Sequence, residues 1–182
     1  MAATFAFDRD HGTQTGTPTK GTTRNAGVTD TNWKNSDTEA TAYTAAPIID
    51  GNNSFENWLF GHFSGTYNQI AAGLFAHTAT ALGTGLTLKG PPACTGDGDR
   101  LLYTTPSTTT NAALTTNMTT VVAIASGVAV SFGATGPEAT GKATTMTTNP
   151  CYTNYLTTQL QTSGATAGDT ATITLTLQYT EN

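Results

Sequence analysis

The clearest pattern in the chain is an alternation of polar and apolar residues near its C-terminus. Between positions 170 and 180, threonines occupy most of the polar positions, and the apolar positions are Ala171, Ile173, Leu175, Leu177 and Tyr179. Side chains of a β-strand point alternately to the two faces of its sheet, so this spacing buries one face and leaves the other in water. The segment therefore predicts a strand whose apolar face covers a hydrophobic core.

Shorter apolar segments, separated by Gly, Pro and Asn, predict the other strands. The densest aromatic cluster lies within 54–65 and predicts a core strand, which is followed by a second strand over 67–77. Further candidate strands lie at 86–88, 101–103, 118–124, 128–132 and 152–160. About eight strands with close turns and no convincing helix favour an all-β antiparallel β-sandwich, jelly-roll-like in its connections.

The first 46 residues show no such pattern. From Asp8 to Thr31 the chain is almost entirely Gly, Thr, Asp, Asn, Pro and basic residues, with no apolar periodicity. Such a segment buries too little apolar surface to offset the entropy of ordering it. We therefore predict an extended N-terminal arm at 1–46 and a β-sandwich domain at 47–182.

Four aromatic residues are spaced along the predicted arm, and they are its candidate partner-binding residues: Phe5, Phe7, Trp33 and Tyr43. Aromatic side chains are frequent hot spots of protein interfaces. An arm that becomes ordered along a partner surface would use them as anchors. The alternative interpretation is a flexible tail, although a tail would have little use for Trp33.

Composition narrows the possible partners. Charged residues make up 10% of the chain against an ordinary value of about 25%, and Thr makes up roughly a quarter of it. The net charge is −5 and the seven basic residues are scattered, so we predict no nucleic-acid binding. No apolar run approaches the ~20 residues of a membrane span, and the N-terminus does not resemble a signal peptide. We therefore expect assembly inside the cell and release on a particle.

Two cysteines, Cys94 and Cys151, each follow a loop-like stretch that contains proline. A single disulfide and two separate thiols are both compatible with the sequence, because a bridge depends on a Cα separation that spacing along the chain does not give. Two cysteines do not form a disulfide framework in either case.

Candidate chemistry is sparse. His11 follows Asp8 and Asp10, a grouping that could contact a metal, but a solvated polar stretch is the simpler interpretation. Asp97-Gly98-Asp99 resembles the start of a metal-binding loop, yet the third oxygen ligand and the Glu of a calcium loop are missing. We predict no catalytic residue, no metal site and no cofactor.

Three stretches of the chain resemble a group of tailed-bacteriophage virion proteins. They are Gly51-Asn52-Asn53-Ser54-Phe55-Glu56, then Phe63-Ser64-Gly65-Thr66-Tyr67-Asn68-Gln69-Ile70, and the closing Thr174-Leu175-Thr176-Leu177-Gln178-Tyr179-Thr180-Glu181. Two shorter segments, Trp33-Lys34-Asn35 and Pro47-Ile48, belong to the same resemblance. The resemblance is discontinuous over 33–182 and includes no catalytic motif. It implies a β-sandwich located in the virion, without indicating which part of the virion.

These observations predict a non-enzymatic protein that decorates or cements the exterior of a phage capsid. Its expected partners are the major capsid protein and neighbouring copies of itself, as a homotrimer. The main alternative is a carbohydrate-binding or host-binding module of a tail fibre or spike, with Trp58 as the nearest sugar-binding candidate. A bacterial surface-layer domain and a small enzyme are weaker alternatives. If the arm is separate, a protein without residues 1–46 should still fold.

Overall fold

The computed structural model of the chain describes residues 2–78, 82–120, 126–165 and 173–182. Within these ranges the regular structure is almost entirely β-strand, with two short 3-10 helices and no α-helix. The strands are β1 Ala3–Thr15, β2 Lys20–Asn25, β3 Trp58–Gly65, β4 Ile70–Thr78, β5 Leu86–Gly90, β6 Thr116–Asn117, β7 Val128–Val130, β8 Phe132–Gly133, β9 Thr145–Met146, β10 Cys151–Thr153, β11 Gln159–Thr162 and β12 Thr174–Glu181. The 3-10 helices are Tyr43–Ala45 and Met118–Thr120.

The strands form three antiparallel sheets. The first has the order β2-β1-β3-β10-β8, the second β11-β5-β6, and the third β12-β4-β7, in which β9 also pairs with β4. The predicted all-β antiparallel sandwich is confirmed. Its jelly-roll connectivity stays a prediction.

Strand β3 lies at the centre of the first sheet and is buried on both faces. Its run of large apolar side chains explains this position, because alternate residues of one strand point in opposite directions. Leu59 and Phe63 enter the main core, whereas Trp58 and Phe60 enter a second cluster on the opposite face of the sheet.

The main core lies between the first and third sheets. Phe63 of β3 packs edge-on against Tyr179 of β12 with ring centroids 4.7 Å apart, and Phe7 of β1 lies 6.5 Å from Phe75 of β4. The predicted apolar face of the last strand is observed here, with Ile173, Leu175, Leu177 and Tyr179 packed on or in this core. Positions 170–172 of that prediction lie outside the described residues.

The second cluster covers the outer face of the first sheet with loop residues. Trp58 and Phe60 are buried there with Tyr155, and the loop side chains of Leu101 and Tyr103 complete the cover. The segment 101–103, predicted as a strand, is not part of any sheet. Leu114 also belongs to this cluster.

The predicted arm is wrong as a separate unit. Strand β1 pairs with β3 from Ala3 to Asp10 and with β2 on its other side, so it is an inner strand of the largest sheet. The boundary predicted between 46 and 47 therefore does not divide the molecule into arm and domain. The hydrophobicity pattern missed β1 because charged side chains occupy several of its buried positions, among them Asp8, Arg9 and Asp10.

Other differences from the predicted strands are smaller. The strand expected over 152–160 is divided into β10 and β11, and a two-residue strand that was not predicted, β9, precedes it. Met118–Thr120 is a 3-10 helix instead of a strand, and 121–125 lie outside the described residues.

Both cysteines are buried free thiols, so of the two alternatives the structure has separate thiols. Burial raises the pKa of the Cys94 thiol to about 11 and also raises that of Cys151. Both side chains therefore stay protonated at neutral pH.

Candidate interaction surfaces

Three of the four candidate partner-binding aromatics contact the protein's own core. The ring of Phe5 lies 5.1 Å from Phe63, and Phe7 packs edge-on against Phe5 at 4.9 Å. Trp33 packs on the main core and donates a hydrogen bond from Nε1 to Oγ1 of Thr158 at 3.1 Å. These three aromatics anchor residues 1–46 on the protein itself.

A charged network centred on Arg9 holds the segment between β2 and β3 in place. The Arg9 side chain is 1% exposed; its Nη1 lies 2.6 Å from Glu39 Oε2 and its Nη2 lies 3.1 Å from Asp37 Oδ1. The other Asp37 oxygen accepts the backbone N–H of Gly12 at 2.6 Å. Burial raises the pKa of Asp37, while the Gly12 N–H and Arg9 act in the opposite direction.

A second ion pair joins β1 to β2. Arg24 donates two hydrogen bonds to the buried Asp10 carboxylate, from Nε at 2.6 Å and from Nη2 at 2.8 Å. The hydroxyl of Tyr155 donates to the same carboxylate at 2.5 Å. Arg24 also lies 3.1 Å from Glu138 and stacks over the ring of Phe60 at 4.7 Å.

These contacts decide the metal hypothesis for the Asp8, Asp10 and His11 grouping. Asp8 accepts the Gly27 N–H at 2.9 Å and lies 3.2 Å from Nδ1 of His62. Asp8 and Asp10 are therefore buried and bound within the chain, and the expected solvated stretch is wrong. Among the described residues no group of three His, Cys, Asp or Glu side chains is placed to hold a metal ion.

The Asp97-Gly98-Asp99 loop uses its first carboxylate to bind backbone. Asp97 accepts the N–H groups of Gly141 and Lys142, each at 2.9 Å, and these bonds lower its pKa. The structure thus has a turn at these residues, with Asp97 bound to backbone N–H groups.

Lys142 is buried beside this loop and is surrounded by carbonyl oxygens. Its Nζ donates to the carbonyl of Gly136 at 2.6 Å and lies 3.4 Å from that of Thr153. Burial lowers the pKa of Lys142 to about 8, although Glu138 and Asp97 act to raise it.

One segment presents apolar side chains to solvent, and we call residues 42–49 the apolar segment. Tyr43 is 49% exposed and Ile49 is 61% exposed. Ala42, Ala45 and Pro47 are exposed as well. Two hydrogen bonds hold the backbone at the start and near the middle of this segment. Lys34 Nζ donates to the Thr41 carbonyl at 2.6 Å, and the Asn35 N–H donates to the Ala46 carbonyl at 2.8 Å.

A shallow, mainly apolar depression lies beside the turn between β1 and β2, and we call it the Leu102 depression. Leu102, which is 55% exposed, lines it together with Pro18, Ala139 and Arg100, and three threonines complete the lining. Leu102 points outward because its neighbours Leu101 and Tyr103 point into the second cluster.

Of the three exposed large hydrophobic residues in the described part of the chain, Tyr43 was a candidate from the sequence, whereas Ile49 and Leu102 were not. Ile49 precedes the turn at Asp50-Gly51, and an apolar residue placed directly before a polar turn is a weak signal of exposure. Leu102 lies within an apolar triplet, and nothing in the local sequence distinguishes it from its buried neighbours.

Comparison of the chain with protein-family models, with curated protein sequences and with solved structures gave no match. No helix in the described part of the chain is long and apolar enough to cross a membrane.

Proposed function

We propose that this protein is a structural component of a phage virion that decorates or cements the exterior of the capsid. In this role it bridges capsid subunits by contacts with the major capsid protein and with neighbouring copies of itself. The resemblance of three stretches to tailed-phage virion proteins supports this proposal, and the distribution of charge in the fold supports it independently.

The inward placement of charge is the observation that carries the proposal. Among the residues that the structure describes, six charged side chains are buried: Asp8, Arg9, Asp10, Lys34, Glu56 and Lys142. A chain that already has few charges thus leaves still fewer on its surface, where threonine hydroxyls provide much of the polarity. Interface cores are depleted of charge because desolvating a charge is costly, so such a surface suits close contact with other proteins.

The apolar segment and the Leu102 depression provide apolar area for such contacts. Single exposed apolar residues are ordinary, but several together on one held segment are typical of an interaction site. A protein that binds across capsid seams needs contacts to more than one neighbour, and the two sites share no residue.

Electron cryo-microscopy of the particle that carries this chain tests the proposal. We expect β-sandwich density on the outer face of the shell, over seams between capsid subunits, with the apolar segment in a protein contact. Density only at the tail tip or a fibre would contradict the proposal.

The second candidate is a carbohydrate-binding or host-binding module of a tail fibre or spike. Trp58 is buried and does not serve such a site, but His62 and Tyr152 form a half-buried stack with ring centroids 4.7 Å apart, beside Asp8. A glycan array separates the candidates: saccharide binding that Tyr152→Ala removes would favour the fibre role.

A further inference from the structure

We propose that copies of this protein join head to tail, with the apolar segment of one copy seated in the Leu102 depression of the next. This inference deepens the proposed function, on which it rests, because it names the surfaces through which neighbouring copies would meet. The occupant of the depression is thus a second copy of the same chain.

The placement of the exposed apolar side chains favours a second copy as the occupant. Among the described residues the exposed large hydrophobic side chains are Tyr43, Ile49 and Leu102. Two of them project from one held segment, and the third lines a depression whose exposed lining is mainly apolar. Seating the segment in the depression would remove apolar surface from water, and the hydrophobic effect favours such burial.

Charge also fits this arrangement. Arg100 also lines the depression; its Nη1 donates a hydrogen bond to the Asp97 carbonyl at 3.3 Å, and no carboxylate of the described residues lies within ion-pair distance of it. Asp50 directly follows Ile49, is exposed, and likewise has no ion-pair partner in the part of the chain that the structure describes. A copy that placed Ile49 beside Leu102 would bring Asp50 close to Arg100 of its neighbour.

The contact is heterologous because its two halves are different surfaces. Such a contact closes into a ring if the rotation between copies allows it, and otherwise extends as a chain. A ring around a local symmetry axis of the shell is the form that the proposed decoration role needs. A two-fold dimer would instead pair each surface with itself.

Mixing two variants tests the head-to-tail arrangement. Ile49→Asp damages only the apolar segment and Leu102→Asp only the depression, and both positions are exposed, so we expect both variants to fold. Alone, each should run at the monomer mass of 18.8 kDa. Mixed in equal amounts they should form a dimer, with a twofold rise in mass, because one intact segment can still meet one intact depression.

Light scattering after size-exclusion chromatography measures these masses, with Thr174→Asp as an exposed control that should assemble as the wild type does. Disulfide trapping between Ile49→Cys and Leu102→Cys proteins detects weak association, since the native cysteines are buried. A trapped dimer only in the mixture supports the proposal. Trapping within either variant alone, or no trapping in the mixture, overturns it.

The same variants separate this inference from the proposed function. If wild-type protein binds purified capsid shells while the mixture traps no dimer, the decoration role holds and the head-to-tail contact is wrong. If the mixture dimerises but wild-type protein binds no shell, the contact holds and the decoration role is wrong.

Discussion

At the scale of single residues, charged side chains occupy positions inside the sheet that a hydrophobicity pattern assigns to the surface. Arg9 lies on an inner strand, where it forms ion pairs with Asp37 and Glu39. Removing one partner from a buried ion pair costs about 3–5 kcal/mol because it leaves an unpaired charge. Residues 1–46 are thus held on the sheet by interactions that are individually expensive to break.

Lys142 makes stability depend on pH in the alkaline range. Its pKa is lowered from 10.5 in the unfolded chain to about 8 in the folded protein. Between these values the unfolded state binds more protons than the folded state, so the free energy of unfolding should rise with pH by at most about 3 kcal/mol. Urea denaturation of wild type and Lys142→Met from pH 7 to 10.5 measures this rise as a difference between the two profiles.

Lys20→Met is the matched control, because Lys20 is exposed on β2. Its profile should follow that of the wild type. Parallel profiles for wild type and Lys142→Met would show that the folded state does not release the Lys142 proton early.

Gly73 has no room for a side chain. A Cβ at this position would lie 2.6 Å from Val130 Cγ2 and 2.7 Å from Phe132 Cζ, inside the main core. We expect Gly73→Ala to lower the free energy of unfolding by about 1–3 kcal/mol, as overpacking does. Thermal and urea denaturation measure the change.

Gly98→Ala is the control for this substitution. Nothing lies within 4 Å of a Cβ built at Gly98. Both substitutions restrict the unfolded chain similarly, so their difference isolates the packing clash. Equal stability of the two variants would mean that β4 and β7 lie farther apart than described.

At the scale of elements, β12 gives the simplest test of an alternating strand. Leu177 is buried against the first sheet, whereas Thr174 faces solvent. Leu177→Asp should cost more than about 4 kcal/mol because it forces a charge into the core, and Thr174→Asp should cost about 0.5 kcal/mol. Similar losses in both variants, measured by urea denaturation, would contradict the assigned faces.

The inner position of β1 in the first sheet predicts that the fold depends on this strand. Deleting residues 2–25 removes β1 and β2, exposes one edge of β3, and takes Phe5 and Phe7 out of the main core. We expect the shortened protein to lose its cooperative thermal transition and its near-ultraviolet circular dichroism. A cooperative transition near that of the full chain would restore the separate-arm hypothesis.

At the scale of the whole molecule, the first sheet is covered on both faces. The third sheet covers one face and loop residues cover the other, with β3 contributing to both clusters. This arrangement leaves the outer surface to threonine-rich strands and loops, from which the apolar segment and the Leu102 depression emerge. The head-to-tail contact depends on the whole molecule, because it needs two surfaces on different parts of one copy.

Local patterns predicted those parts of the fold that depend on neighbouring residues in the chain. The core strand within 54–65 was predicted because its aromatic residues are clustered within a few positions of one another, and β3 lies there. Of the exposed large apolar residues, Tyr43 was already a candidate because it is isolated in a polar stretch. The outward direction of Leu102 was not, because it depends on where Leu101 and Tyr103 find their partners.

The amino-acid sequence is sufficient to predict the all-β class and the buried face of β12, because β-branched threonines and period-2 alternation act through the geometry of a single strand. The position of residues 1–46, in contrast, depends on contacts between distant parts of the chain. Arg9 and Asp10 are stable inside the sheet because Asp37, Glu39 and Arg24, distant in the chain, neutralise them there. A buried charge is stable only when an opposite charge lies beside it, and that pairing exists only in the folded molecule.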